Sequence, residues 1–185
     1  MFKGAYKAAW WLTLSGVLIA AAPVLADQPW LLREVKIGVL SHDVPDLWSG
    51  FGLESRTADL NLEVILRPSM HLLWGEVRPA IGTTINFDHG TSHAYLDARW
   101  MIESPAGLFF SIGLGAAVHN GHLNPDSADH KALGSRVLFH IPLELGFRFD
   151  GHNSVSFYFE HTSNAGLIAH NEGLDRLGIR YGYRF

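Results

Sequence analysis

The stretch FYFEHTSNAGLIAHNEGLDRLGIRYGYRF, Phe157 to Phe185, decides the fold. At period two it resolves into two strands joined by a polar, glycine-bearing loop. Val155, Phe157, Phe159, His161 and Ser163 share one face of the first strand. Asp175, Leu177, Ile179, Tyr181, Tyr183 and Phe185 share one face of the second. Both faces are apolar over most of their length and turn polar and reactive at the end beside the loop.

The same alternation recurs back along the chain. Val35, Ile37 and Val39 oppose Glu34, Lys36 and Gly38; Leu60, Leu62 and Val64 oppose Asn61, Glu63 and Ile65. Val77, Ile81 and Ile85 oppose Glu76, Arg78 and Thr84; Leu96, Trp100 and Ile102 oppose Tyr95, Asp97 and Arg99. Phe110, Ile112 and Leu114 oppose Ser111, Gly113 and Gly115; Phe139, Leu143 and Leu145 oppose His140, Glu144 and Arg148. With the two C-terminal strands this makes eight. Connections alternate between longer ones (Ser41–Ala58, Asp88–His93, His119–Gly134, Asn164–Gly173) and tight ones (Pro68–Leu73, Glu103–Gly107, Asp150–Asn153).

An even strand number with long and short connections at opposite ends predicts an all-β, eight-stranded antiparallel transmembrane barrel of the bacterial outer membrane. Each strand has the roughly 9–11 residues a tilted crossing requires. The competing fold is a soluble eight-stranded barrel with its apolar face inside. A membrane barrel can instead hold the charged face as a paired interior network. Trp74, Trp100, Phe149 and Tyr183 fall near strand ends, as interfacial aromatics do. The terminal Phe185, preceded at period two by Tyr183, Tyr181 and Ile179, resembles the C-terminal signature of outer-membrane barrels.

The N-terminus supports that compartment. Lys3 and Lys7 precede an apolar run from Ala8 to Ala22, and Val24-Leu25-Ala26 offers small residues for cleavage before Asp27. Residues 1–26 are expected to be a signal peptide and residues 27–185 the barrel. Cleavage takes two lysines and no acids from a chain of net charge −4, leaving −6. No basic stripe exists, so nucleic acid is not an expected partner. Cysteine is absent, so no disulfide holds the exported chain.

Topology places His161, Ser163 and Asp175 together. With both termini in the periplasm, the seventh strand ends at the outer surface and Asp175 opens the eighth. Parity puts all three on the lipid-facing side, with i,i+2 and cross-strand spacings that ordinary side chains can bridge. Spacing alone fits either a Ser–His–acid chain or interfacial residues capping two strands.

The segment HTSNAGLIAHNEGLD resembles the catalytic segment of the PagL-type lipid A 3-O-deacylases, over His161, Ser163, Asn164, Ala165, Gly166, Leu167, Asn171 and Gly173. The resemblance implies an outer-membrane barrel that hydrolyses the ester-linked 3-hydroxyacyl chain at the 3 position of lipid A. It implies His161 as general base, Ser163 as nucleophile and an acid orienting the imidazole. That acid is Glu in the family and falls on Asp175 here, one methylene shorter; Glu172 is the competing candidate. By the same resemblance Asn164 and the N–H groups of Ala165 and Gly166 stabilise the oxyanion, while Asn171 ties the loop in place.

The expected partner is lipid A or lipopolysaccharide within the membrane. The chemistry calls for no cofactor and no metal, and the sequence leaves a homodimer open. His119, His122, Asp126, Asp129 and His130 in the third long loop are expected to be solvated, and His140, Glu144 and Arg148 to fill the lumen. Two other functions stay open from the residues: an outer-membrane phospholipase, and a structural or adhesive barrel without catalysis.

Overall fold

Eight long antiparallel strands close on themselves, leaving no free edge. They are β1 (Leu32–Ser41), β2 (Ala58–Leu66), β4 (Gly75–Asn86), β5 (His93–Glu103), β6 (Leu108–His119), β7 (Val137–Arg148), β8 (Asn153–Ser163) and β9 (Leu174–Arg184). Each pairs with its sequence neighbour, and β9 returns to β1 with Val35 opposite Tyr183 and Val39 opposite Ile179. This computed structural model describes residues 31–185; the expected signal peptide, residues 1–26, lies outside them. Closure follows from the solvent: an open edge in hydrocarbon would leave N–H and C=O groups unpaired.

Side-chain parity sets an inverted arrangement, polar within and apolar without. Val39, Leu96, Leu114 and Phe157 are exposed, while Glu34, Lys36, Glu63, Arg99, Glu144 and Arg180 are buried. The lumen is a continuous ionic network. Lys36 Nζ lies 2.8 Å and Arg180 Nη2 2.6 Å from Glu144 Oε2, while Arg180 Nη1 reaches Glu63 at 3.2 Å and Arg148 Nη2 reaches Glu34 at 3.2 Å. Arg180 also lies over the Tyr158 ring, 3.6 Å from its centroid. Such charges tolerate burial only because each has an opposite partner. The expected roles of His140, Glu144 and Arg148 are those observed: all three are buried inside.

Four loops gather at one end of the barrel: residues 42–57, 87–92, 120–136 and 164–173. The other three connections and both ends of the described chain lie at the other. One of these is more elaborate than a tight turn. Pro68 and Ser69 interrupt β2, and Met70–Leu72 then resumes pairing with β4 as the short strand β3. Its tip, Leu73-Trp74, has φ of 45° and 63°, the left-handed geometry of a two-residue hairpin, carried here by two bulky residues. A period-two reading missed β3 because three residues cannot display a period.

Candidate active site

Strands β8 and β9 pair with His161 directly opposite Asp175, and on β7 Ile141 faces His161 and Phe139 faces Ser163. Register therefore brings the three reactive side chains to one patch of the outward wall. His161 Nδ1 lies 2.6 Å from Asp175 Oδ1, and His161 Nε2 lies 2.9 Å from Ser163 Oγ. With Nδ1–H donating to the carboxylate, the Nε2 lone pair is free to accept the Ser163 proton.

These groups face outward yet are not open to the surroundings. His161 is 5 % exposed, Ser163 8 % and Asp175 0 %. The first long loop folds down over them. Val44 N–H donates to the Asp175 carbonyl at 3.0 Å, and Ser49 N–H donates to Asp175 Oδ2 at 2.6 Å. The Trp48 indole lies nearly parallel to the His161 ring, with centroids 4.7 Å apart and planes inclined by 15°. Gly173, at φ +64°, fits against the imidazole edge; a Cβ there would stand 3.1 Å from His161 Cε1. Neither Trp48 nor Ser49 stood out in the sequence, because 126 residues separate Ser49 from Asp175.

The root of the same loop is charged. His42 Nδ1 lies 2.7 Å from Asp59 and Nε2 2.8 Å from Glu54. Burial disfavours charge on His42, but the two carboxylates outweigh it and raise the imidazole pKa. Burial likewise opposes charge on Glu54. The His42 hydrogen bond and the Thr91 N–H and O–H donors outweigh it and hold Glu54 at about 2.

The fourth loop carries the remaining candidates. Asn164 N–H donates to Asn171 Oδ1 at 2.8 Å, so Asn171 ties the loop across its base. Asn164 Nδ2 donates to the carbonyls of Leu133 at 3.0 Å and His170 at 2.5 Å, which commits its amide hydrogens to loop structure. Ala165 and Gly166 follow at φ 55° and 73° and are exposed beside Ser163 and Asn164 in sequence. Glu172 is bound elsewhere: its carboxylate accepts the Ala132 N–H at 2.6 Å, joining the third and fourth loops. Of the two candidate acids, Asp175 is the one in contact with His161. Exposed apolar side chains surround the patch: Leu47, Trp48, Phe51 and Leu53 from the first loop, Leu167 and Ile168 from the fourth.

Two other groups of ligand-type side chains lie outside this patch. In the third loop His122 pairs with Asp126 at 2.7 Å and His130 with Asp129 at 2.9 Å; both aspartates are exposed, and the two imidazole rings lie 4.6 Å apart, each nitrogen that meets an aspartate being committed to its own partner. In the lumen His93, His140 and Glu160 converge within 4.8 Å. Arg176 Nη1, however, lies 2.9 Å from His93 Nδ1. A guanidinium can only donate, so Nδ1 accepts and the ring proton sits on Nε2, facing Glu160 Oε1 at 3.4 Å. That tautomer has no lone pair directed to the centre of the cluster, so the residues fit a hydrogen-bond network better than a metal.

Comparison with known proteins places this arrangement. Residues 49–184 match the family model described as lipid A 3-O-deacylase (PagL). The lipid A deacylase PagL of Bordetella bronchiseptica is 32% identical over 78 residues, 42% of this chain; the match spans 42% of that relative's length. The crystal structure of the outer membrane enzyme PagL superposes with a TM-score of 0.60 at 20% identity, covering 80% of this chain and 97% of the other. Ail, the attachment invasion locus protein of Yersinia pestis, superposes at 0.50 and 14% identity over 84% and 99%. At these identities the superpositions speak for the eight-stranded barrel alone. The family match runs from the loop that covers His161 to the penultimate residue, and on that span the chain belongs to the lipid A 3-O-deacylase (PagL) family.

Proposed function

We propose that this protein is an outer-membrane serine esterase that removes the ester-linked 3-hydroxyacyl chain at the 3 position of lipid A. The observation that carries the proposal is the Asp175–His161–Ser163 hydrogen-bond chain on the outward wall, at the end of the barrel bearing the long loops. Family membership and the exposed apolar rim around the patch support a lipid substrate.

In this scheme the barrel crosses the outer membrane with its long loops outside, and lipid A of the outer leaflet reaches Ser163 laterally. His161 Nε2 takes the Ser163 proton as Oγ attacks the ester carbonyl, and Asp175 stabilises the imidazolium. The Ala165 and Gly166 N–H groups, freed by their left-handed backbone, are the oxyanion donors. Asn164 and Asn171 hold the loop that presents them. One such donor contributes about 3–4 kcal/mol. The tetrahedral intermediate collapses, breaking the carbon–oxygen bond to the sugar, as His161 protonates the departing sugar oxygen to give the free 3-hydroxyl. Water, deprotonated by His161, then cleaves the acyl-enzyme and releases a 3-hydroxy fatty acid.

Mass spectrometry of lipid A from an outer-membrane-competent host tests this directly. Wild-type protein should remove one 3-hydroxyacyl mass, and Ser163→Ala should leave lipid A intact while still inserting as a heat-modifiable barrel. Identical spectra from both, with insertion demonstrated, would overturn the proposal. Release of fatty acid from glycerophospholipid alone would make the protein a phospholipase.

A further inference from the structure

The first long loop does more than cover the site. Val44 and Ser49 both donate to Asp175, one to its carbonyl and one to its carboxylate, so the segment between them straddles that residue. Trp48 meanwhile lies flat on the imidazole. We propose that Trp48 and Ser49 are positioning residues of the active site, and that the Lys131–Asp43 ion pair is the latch that holds them there. The inference rests on the serine-esterase reading above.

Asp175 has two carboxylate oxygens and two partners. Oδ1 faces His161, and Oδ2 receives the Ser49 N–H. Without that second donor the carboxylate could rotate about its Cβ–Cγ bond and lose its aim at Nδ1. The Trp48 stack acts on the next torsion along, since a flat ring 4.7 Å away blocks imidazole rotation toward the loop. Gly173 closes the edge of the ring. Ser163 needs a ring fixed on both axes, because its Oγ and Asp175 lie on opposite nitrogens.

What keeps a sixteen-residue loop in one place is charge buried beneath it, across residues 42–57. Lys131 Nζ, from the third loop, lies 2.7 Å from Asp43 Oδ1, both side chains at 0 % exposure. Asp43 Oδ2 accepts the N–H groups of Leu53 at 2.6 Å and Glu54 at 2.8 Å. Lys131 Nζ also donates to the Phe51 carbonyl at 2.6 Å and to Ser49 Oγ at 3.3 Å, and lies 4.6 Å from the Phe51 ring centroid. The ammonium thus grips the loop at Asp43, Ser49 and Phe51, on both sides of Trp48. A buried ion pair is costly to break from one side, which makes it a latch and not a surface ornament.

The test compares Trp48→Leu, Trp48→Phe and Lys131→Met in the full-length, membrane-inserted protein, measuring steady-state deacylation of lipopolysaccharide in detergent micelles. Misorientation of a catalytic group costs up to about a hundredfold, so Trp48→Leu and Lys131→Met should each lower kcat about tenfold or more with KM nearly unchanged. Trp48→Phe, which keeps a flat ring, should recover most of the rate. A second readout does not depend on turnover. In protein carrying 13C at the histidine Cε1 position, the His161 signal, assigned with His161→Gln, should be shifted upfield by the indole ring current. It should move downfield in Trp48→Leu and in Lys131→Met, and stay nearer its wild-type position in Trp48→Phe.

Unchanged kcat together with an unmoved resonance would overturn the proposal. So would a raised KM at unchanged kcat, since Trp48 would then be a substrate contact and not a positioning group. Wild-type protein without deacylase activity would overturn the esterase reading and with it the catalytic purpose of the latch. That failure is distinguishable, because the resonance would still respond to Trp48→Leu.

Discussion

Replacing Asp175 by Asn tests the site most sharply, because shape is retained while one hydrogen-bond direction is reversed. The native carboxylate accepts on both sides: from His161 Nδ1 at 2.6 Å and from the Ser49 N–H at 2.6 Å. An amide can accept on only one. Ser49 presents a backbone N–H, which can only donate, so the amide oxygen must face Ser49 and the NH2 must face His161. Nδ1 then has to accept, and the ring proton moves to Nε2, where it blocks uptake of the Ser163 proton. Turning the amide over would set NH2 against the Ser49 N–H and leave a buried donor unpaired, at about 1–3 kcal/mol. The wrong tautomer therefore dominates. In Ser–His–Asp sites the same change lowers kcat about 10⁴-fold; here we expect about 10³–10⁴-fold, or roughly 4–5.5 kcal/mol of lost transition-state stabilisation. Initial rates of 3-hydroxy fatty acid release from purified lipopolysaccharide would measure it, with heat-modifiable migration as the folding control. A folded Asp175→Asn protein that keeps a tenth of wild-type activity would refute the assignment of Asp175 as the orienting acid.

Three further outcomes are expected. Glu144→Leu removes the acceptor shared by Lys36, Arg180 and Ser156 and leaves Arg180 only the carboxylate of Glu63 and Lys36 only that of Glu34, at 3.2 and 3.7 Å; urea unfolding of the refolded barrel should show a loss of about 1.5–3 kcal/mol, and a loss below about 1 kcal/mol would mean the lumen network repacks freely. Phe157, exposed on the outward face near the middle of β8, should tolerate Leu but lose about 2–4 kcal/mol as Arg; equal stability of the two variants would argue against burial of that face in hydrocarbon. For pH, Glu54 is held at about 2, below its ordinary 4.5, so its contribution is complete above about 4.5 and is lost as pH falls toward 2. His42 is raised, so its contribution is complete below about 6.5 and is lost as pH climbs through the higher folded value. Limited proteolysis within residues 42–57 should therefore be slowest between these limits and faster on either side; Glu54→Gln should shrink the acid limb, leaving the part that Asp59, also held low beside His42, contributes.

How much of this was visible in advance depended on the range of the interaction. Alternation at period two identified the eight crossing strands and the face each presents, because a strand's side chains must alternate whatever surrounds them. It also located His161, Ser163 and Asp175 on one wall, since two of them lie two residues apart and the third opens the next strand. β3 escaped because a three-residue strand interrupted by Pro68-Ser69 has no period to display. The contacts of the fourth loop were not legible: nothing local revealed that Asn164 Nδ2 donates to the carbonyls of Leu133 and His170.

By itself the sequence determined the barrel, its inverted polarity and the placing of His161, Ser163 and Asp175 on one wall, all consequences of nearest-neighbour geometry along and across adjacent strands. Only the tertiary structure decided which acid meets His161, with Asp175 in contact and Glu172 drawn to Ala132. It alone decided that Trp48 and Ser49 close over the patch and that Lys131 and Asp43 fasten them. Those contacts join loops far apart in the chain, and loop trajectories are set by buried charge and hydrogen-bond partners that no repeating pattern encodes.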